Sequence, residues 1–506
     1  MSRRVYWYAF LIICLFIWPI NVQGQDTREE LKETINELQN RLMEIEGKMK
    51  QIDKEGQTTK LEKRVMEMEQ NLAPYEDPYT FRAYWKDGLN METRDKEFKM
   101  KIFGRIMNDW TWQFANDTTD NAINYGIGAP DALEDGTEFR RARLGMSGEI
   151  YERVIFKGEW DWAGGDADFK DVYLGVQDIP YVGKVTVGHQ KEPFGLEELT
   201  SSKYITFMER APVFAPSRNT GIEVRNNAFD EHMQWQIGAY RETDDYGDSG
   251  NGSNSVVSGD GEYVVTGRIT GLPWCEEKGR ELVHLGVSAS RRSPHDDEER
   301  YRERPTVHQT ARLIDTGFTD KYGTDVFYNK IYLVGTEAAL VYGPFSMQGE
   351  WAIAMNDRFE REWIDDFGNY KKPGDDVDYR AWYIYGSYFL TGENRTYKPS
   401  YGAFDKIKPR DNLYDKKTGW GLGAWEVALR YNNVDLDDEG VNGGELDNIT
   451  FGVNWYLNPN TRVMFNYVTS DLDRELSYND PPESNTVKQF DTGSYHAYMM
   501  RFQIYW

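Results

Sequence analysis

From Phe98 onward, apolar and polar residues alternate with a period of two, which builds strands that are apolar on one face. Phe98, Met100, Ile102, Ile106, Trp110, Trp112 and Phe114 oppose Lys99, Lys101, Arg105, Asp109 and Gln113. Ala142, Leu144, Met146 and Ile150 oppose Arg141, Arg143, Ser147 and Glu149. Val154, Phe156, Trp160 and Trp162 oppose Lys157, Glu159 and Asp161, and Val172, Leu174 and Val176 oppose Asp171, Tyr173 and Gln177. The pattern returns at 233–240, 263–272, 282–291, 331–342, 345–354, 379–390, 425–434, 448–457 and 461–469. It also ends the chain: Tyr498, Met500, Phe502, Ile504 and Trp506 share one face, with Arg501 and Gln503 on the other. Asn458-Pro459-Asn460 reads as a tight turn, while acidic stretches rich in Gly and Asn read as long loops. No helical pattern interleaves these strands, which argues against an α/β fold. Apolar-out, polar-in strands joined alternately by short turns and long loops predict an all-β, transmembrane antiparallel barrel. At about 25 residues per strand and connection, residues 98–506 hold about 16 strands.

The segment before the barrel has a different period. Leu31, Ile35, Leu38, Leu42, Ile45, Met49 and Ile52 are spaced alternately by four and three, a heptad seam. The phase breaks near Gly56 and resumes with Leu61, Val65, Met68 and Leu72. An N-terminal α-helical coiled coil is therefore predicted over 25–72, a lone surface helix being the simpler alternative. No second seam exists to pair with it, so it implies self-association, and mixed Leu, Ile and Met fit more than two strands. Residues 73–97, with Pro74, Pro78 and many charges, read as a linker. Arg3 and Arg4, the apolar run from Val5 to Pro19 and the small-residue exit Val22-Gln23-Gly24 read as a signal peptide over 1–24. The run is shorter than the roughly 20 residues of a spanning helix, although an uncleaved anchor is the alternative. No later run is long enough, so a membrane location requires strands.

Composition narrows the function. The formal net charge is −25 and 14% of residues are aromatic. The acids cluster at Asp244-Asp245, Asp296–Glu299, Asp365-Asp366, Asp375–Asp378 and Asp435–Glu439, which read as solvated loop tips. Nucleic acid is excluded as a partner, because backbone binding needs a basic surface. Cys14 lies in the leader, and Cys275 alone cannot form an internal disulfide. Glu159 and Asp161 share a strand face about 6–7 Å apart, a glycosidase-like spacing. Any polar barrel wall makes such pairs, however. Asp435-Leu-Asp-Asp-Glu-Gly440 resembles a calcium loop until its twelfth position, which is Leu446. His189, His232, His284, His295, His308 and His496 show no metal-ligand spacing, and no nucleophile elbow, phosphate loop or Cys-x-x-Cys is present. The sequence offers no catalytic residues, metal site or cofactor site, and an enzyme is not expected.

Several blocks carry a family signature. Gly188-His-Gln-Lys-Glu-Pro-Phe-Gly-Leu-Glu-Glu-Leu-Thr-Ser-Ser-Lys203, continuing to Met208-Glu-Arg210, resembles the phosphate-selective porin O and P family. So do Phe389-Leu-Thr-Gly-Glu-Asn-Arg-Thr-Tyr397 with Gly402-Ala-Phe404 and Pro409, Trp425-Glu-Val-Ala-Leu-Arg-Tyr431, and Gly452-Val-Asn-Trp-Tyr-Leu-Asn-Pro459. The resemblance implies a 16-stranded outer-membrane barrel, a homotrimer, and an inward-folded loop whose basic residues draw anions such as phosphate or polyphosphate. On that basis the segment after Gly195 is the constricting loop. Lys203, Arg210 and Arg218, with Lys191 just before it, are its candidate anion-binding residues. By alternation Lys99, Lys101, Arg105, Arg141, Arg143 and Lys157 face the lumen. The acids Glu159, Asp161 and Asp171 stand ready to pair with them, a purely structural alternative. No ladder of closely spaced arginines is visible.

The expected function is an outer-membrane porin passing small anions or other small hydrophilic solutes. The alternative is a structural barrel tethering the envelope through its periplasmic coiled coil. The expected partners are outer-membrane lipid, two further copies of the chain, small solutes or anions, and the barrel-assembly machinery through the C-terminal strand.

Overall fold

The structure, a computed structural model, describes residues 80–506 except 128–132, 249–262, 278, 295–296, 318–327, 359–362, 365–369, 372–374 and 480–486. It also describes 40, 43 and 44, which are helical. The predicted leader, nearly all of the coiled coil and residues 73–79 of the linker lie outside the described residues. Contacts divide the chain into units 1–80 and 81–506, and the second is the barrel.

Two short strands, β1 (Phe81–Trp85) and β2 (Leu89–Thr93), form a hairpin inside the segment read as linker. Then come β3 (Phe98–Ala115), β4 (Gly136–Ile150), β5 (Val154–Asp161), β6 (Asp168–Ile179), β7 (Gly183–Lys191), β8 (Arg218–Ala228), β9 (Met233–Arg241) and β10 (Tyr263–Glu276). The remainder are β11 (Glu281–Arg292), β12 (Tyr328–Tyr342), β13 (Phe345–Arg358), β14 (Val377–Phe389), β15 (Ala424–Asp438), β16 (Val441–Asn458), β17 (Thr461–Asn479) and β18 (Val487–Tyr505). Each of β3 to β18 pairs antiparallel with its chain neighbour, and β18 returns to β3, closing a barrel of sixteen strands. Closure removes every barrel edge, the condition for crossing lipid with strands.

The seam is in tight register. Arg501 pairs with Asp109 and Tyr498 with Trp112, and the Trp506 and Gly104 backbones exchange two 3.0 Å hydrogen bonds. A Cβ on Gly104 would lie 2.5 Å from the Trp506 ring, so only glycine admits the terminal indole. Beyond Trp506, β2 takes over the pairing of β3, with Glu92 opposite Lys99.

Connections at 151–153, 180–182, 229–232, 277–280, 343–344 and 459–460 are short and share one rim with the chain end, the periplasmic rim of such barrels. Residues 390–423 are the exception on that rim. The strands β15 to β17 continue past the lengths read from sequence, carrying Asp435–Asp438 and Asp471–Asp473 on strands rather than loops. About 9–11 tilted residues cross the lipid core, so these ends reach into water, where an acidic outer face is soluble.

The outer wall follows the predicted alternation. Trp110, Trp112, Phe114, Trp382, Phe451, Tyr498 and Phe502 face outward. The inner wall departs from it between β12 and β18. There Val377, Tyr379, Ala381, Tyr383, Ala428, Leu446 and Met464 point inward and bury Phe194, Phe207 and Met208 of loop 192–217 and Val307, Leu313 and Ile314 of loop 293–327. That half of the lumen is a packed core.

Filling the space reserved for the Trp506 indole is expected to weaken closure. In Gly104→Val the clash should cost about 1–3 kcal/mol, read as a lower temperature for loss of the compact, fast-migrating band in heat-modifiability gels. An unchanged transition would show that the indole does not seal the seam.

Candidate functional site

Loop 192–217 leaves the wall at Lys191 and rejoins it at Arg218, its cross-strand neighbour. Its first residue, Glu192, is buried and receives Arg292 at 2.9 Å, Asn219 at 2.6 Å and Thr266 at 2.5 Å. Gly195 then turns with a φ of 70°, and a Cβ there would stand 2.6 Å from a Glu350 carboxylate oxygen. That carboxylate instead accepts the backbone N–H groups of Leu196 at 3.0 Å and Glu197 at 2.7 Å, capping the single turn Leu196–Leu199. Arg210 closes the other end, donating to the carbonyls of Glu197 at 2.8 Å and Thr200 at 2.7 Å.

The far wall grips the remainder. Arg462 donates to the Ile205 carbonyl at 2.8 Å, Arg501 to Met208 at 2.5 Å and Arg430 to Glu209 at 2.9 Å. Asn454 reaches the Thr206 carbonyl, Gln503 the Lys203 carbonyl, and Asn466 accepts from the Met208 N–H. A buried loop must have its peptide groups satisfied, and here strands β16 to β18 with β13 and β15 supply the partners.

Held against that wall, the loop leaves open space on the opposite side, bounded by β3 to β8. A chamber of about 450 Å³ there is lined by Lys101, Arg105, Arg141, Arg143, Lys157, Lys191, Lys203, Arg210, Arg218, Arg225 and Lys398, against only Glu159, Asp171, Glu223 and Asp405. With Asp161 and Glu198, which pair with lining cations, eleven cations face six carboxylates, so the local field is positive. A second chamber of about 350 Å³ is lined in part by Arg140, Glu198, Glu209, Arg210, Arg304, His308 and Arg312. Glu198 and Arg210 belong to the loop and Arg210 lines both chambers, which makes this the neck between them.

Nine of the ten basic residues singled out from sequence line the first chamber. Lys99 does not; it pairs with Glu149 at 2.6 Å. Six are held by carboxylates or share one: Arg105 pairs with Glu159, Arg143 with Asp161 at 2.7 Å, and Lys157 and Arg218 with Asp171 at 2.5 and 2.7 Å. Lys191 and Arg210 flank Glu198 at 2.6 and 3.2 Å. Among the described residues, Lys101, Arg141 and Lys203 have no carboxylate partner; Arg141 is almost fully buried, with its Nε unpaired. Lys203 lies 5.3 Å above the rings of both Tyr204 and Tyr505.

Burial would raise the Glu198 carboxyl, but Arg210 and then Lys191 outweigh it and hold it down at about 2. It stays ionised, and its single charge is shared between Arg210 and Lys191. Burial pushes Lys203 down to about 7; Arg105, Lys157 and Lys101 add to the shift and Glu159 opposes it. Its charge is thus present below about pH 7 and fades above.

Arg140, Arg225, Lys398, Arg430 and Arg462 were not singled out from sequence, and Arg501 was placed on the polar face of its strand without a role. Arg430 and Arg462 lie in inward phase on recognised strands, so the alternation used for Lys99 would have found them. Arg140 was hidden by a β-bulge: Met107 pairs with Arg141 and Asn108 with Phe139, leaving Arg140 as the extra residue. It pairs with Glu209 at 2.9 Å. Lys398 arrives on loop 390–423, which folds inward with Tyr397 bonded to His284 at 2.7 Å and Arg395 stacked 3.4 Å over Phe404.

A family model described as phosphate-selective porin O and P matches residues 118–506. Porin O of Pseudomonas aeruginosa is 26% identical over 424 residues, covering 78% of this chain and 88% of that protein. An uncharacterized protein of Caulobacter vibrioides is 30% identical over 391 residues, 76% of this chain and 70% of the other. Among solved structures, an anion-selective porin from Comamonas acidovorans aligns at a TM-score of 0.44 and 12% identity, over 81% of this chain and 100% of that one.

The Lys203 ammonium should give the pore a pH response of defined sign. The anion-to-cation permeability ratio should rise as pH falls from 8 to 6, because Lys203 gains its proton over that range. Burial also pushes Glu303, beside the neck, up to about 7, and its protonation acts in the same direction. Lys203→Gln should shrink the change, and Glu303→Gln should shrink it independently. Reversal potentials that ignore pH in all three proteins would contradict this placement of charge.

Proposed function

We propose that this chain, which belongs to the phosphate-selective porin O and P family, draws small anions, phosphate among them, through its basic chamber as a passive outer-membrane channel. The observation that carries the reading is the excess of basic side chains around that chamber, eleven against six carboxylates with Asp161 and Glu198 counted. Lys101, Arg141, Lys203 and Lys398 are the chamber cations left without a carboxylate among the described residues, and an anion is their missing partner. The net charge of −25 does not oppose this. Fixed charges in water are screened beyond about 8–10 Å, so the nearest groups in a pore set the sign of the ion.

Ion pairs along the same wall shape the passage. Glu159 and Asp171 neutralise Arg105, Lys157 and Arg218 in part, which keeps any one anion from being held too tightly to leave. Phosphate offers several acceptor oxygens, matching guanidinium and ammonium donors that approach from different strands. The heptad seam at 25–72 would join three such chains.

Reversal potentials across planar bilayers in a KCl gradient test the proposal. The wild-type channel is expected to prefer chloride without any energy source, and Arg141→Gln combined with Lys203→Gln should lower the preference by about two- to fivefold. Inorganic phosphate should block the chloride current of the wild type at lower concentration than that of the double variant. Cation preference in the wild type, or a ratio untouched by the double substitution, would overturn the reading.

A further inference from the structure

Most of loop 390–423 turns into the lumen, but its last part does not. Residues 413–422 come back out as a small hairpin. Tyr414 pairs with Trp420, their rings 5.4 Å apart, and Leu413 and Gly421 are joined by a 3.0 Å backbone bond. The Leu413 N–H donates to the Leu457 carbonyl at 2.6 Å, fixing the hairpin to the periplasmic end of β16. Trp425 on β15 and Trp455 on β16 face the lipid side and stack at 5.1 Å. Both donate their indole N–H to the Leu422 carbonyl, at 3.2 and 2.9 Å. The hairpin is therefore tied to the outer face of the wall.

Its side chains are unusual for a surface bathed by water. Trp420 is 79% exposed, Leu422 72% and Tyr414 57%, and Leu390 beside them is 62% exposed. Lys416 and Lys417 are exposed at the tip. Clustered apolar exposure marks a surface that something covers. Trp and Tyr partition to the headgroup level of a bilayer, and Lys or Arg beside them is drawn to anionic lipid.

We infer that the hairpin 413–422 is an interfacial anchor that rests on anionic phospholipid headgroups of the periplasmic leaflet. It continues the lipid-facing wall outward from the stacked Trp425 and Trp455 pair. Two observations select lipid over other occupants: continuity with a surface that must already meet lipid, and cations at the tip of a strongly acidic protein. The anchor would also hold the outer root of the loop whose inner part, through Lys398 and Tyr401, lines the pore.

The test places a nitroxide at residue 420 (Trp420→Cys) in the full chain, with Cys14→Ser and Cys275→Ser removing the native thiols. A label at exposed Asp230, in the β8–β9 turn on the same rim, is the control. In vesicles of phosphatidylethanolamine and phosphatidylglycerol, the label at 420 should collide with oxygen several-fold more than with a water-soluble nickel chelate, and the label at 230 should do the reverse. Lys416→Gln with Lys417→Gln should move the label at 420 toward water in these vesicles and leave it unmoved in pure phosphatidylcholine. Nickel access at 420 equal to that at 230 would overturn the anchor. Shielding from both probes would overturn it in favour of contact with a second copy, and indifference to the lysine substitutions would remove the anionic headgroup as its partner.

Discussion

The structure depends most on one side chain, Arg501. It stands opposite Asp109 across the seam between the last and first barrel strands and binds that carboxylate through two nitrogens, at 2.7 and 2.6 Å. The same guanidinium donates to the Met208 carbonyl and, at 2.8 Å, to Glu209 of loop 192–217. One fully buried group thereby closes the barrel and fixes the loop within it. Removing one member of such a buried pair costs about 3–5 kcal/mol, because the remaining charge is left without a partner. Arg430 and Arg462 repeat the grip on the loop without the seam contact.

From that grip follows the uneven use of the lumen. Loop 192–217, drawn to strands β13 to β18, buries Phe207 and Met208 among inward tyrosines and alanines. The open path is displaced toward β3 to β8, where the basic residues stand. The acids that dominate the net charge lie elsewhere: Asp435, Glu445 and Asp473 form one row across β15 to β17, and Asp447 stands opposite Asp471 in another. Like charges in register destabilise a sheet unless water solvates them, which suits strand ends beyond the lipid. An acidic exterior and a positive passage are compatible because the two sets of charge are separated by the wall.

Much of this was legible in the sequence, since a period of two needs no tertiary information. The barrel strands, the closing aromatic strand and nine of the chamber cations follow from alternation and from the family-like blocks. Three features were not legible. Inward positions such as Tyr379, Ala381 and Tyr383 break the polar-in rule, because here the lumen holds protein instead of water. Acidic strand ends such as Asp435–Asp438 look like loops, because past the lipid nothing demands an apolar face. The absence of an arginine ladder was true only of the linear sequence. Cations from β3, β4, β5, β7 and β8 and from two loops converge across the barrel, and the bulge at Arg140 turns two adjacent arginines inward.

The arginine grip keeps the loop off the basic wall. That grip is tested most directly by single-channel recording of Arg430→Met combined with Arg462→Met, a variant that retains Arg501 and with it the seam. The freed carbonyls of Ile205 and Glu209 should let the loop move from its wall. In a barrel that still shows the compact heat-modifiable band, the predicted result is a noisier channel of altered conductance with reduced anion preference. A folded variant with wild-type conductance, noise and selectivity would contradict the account.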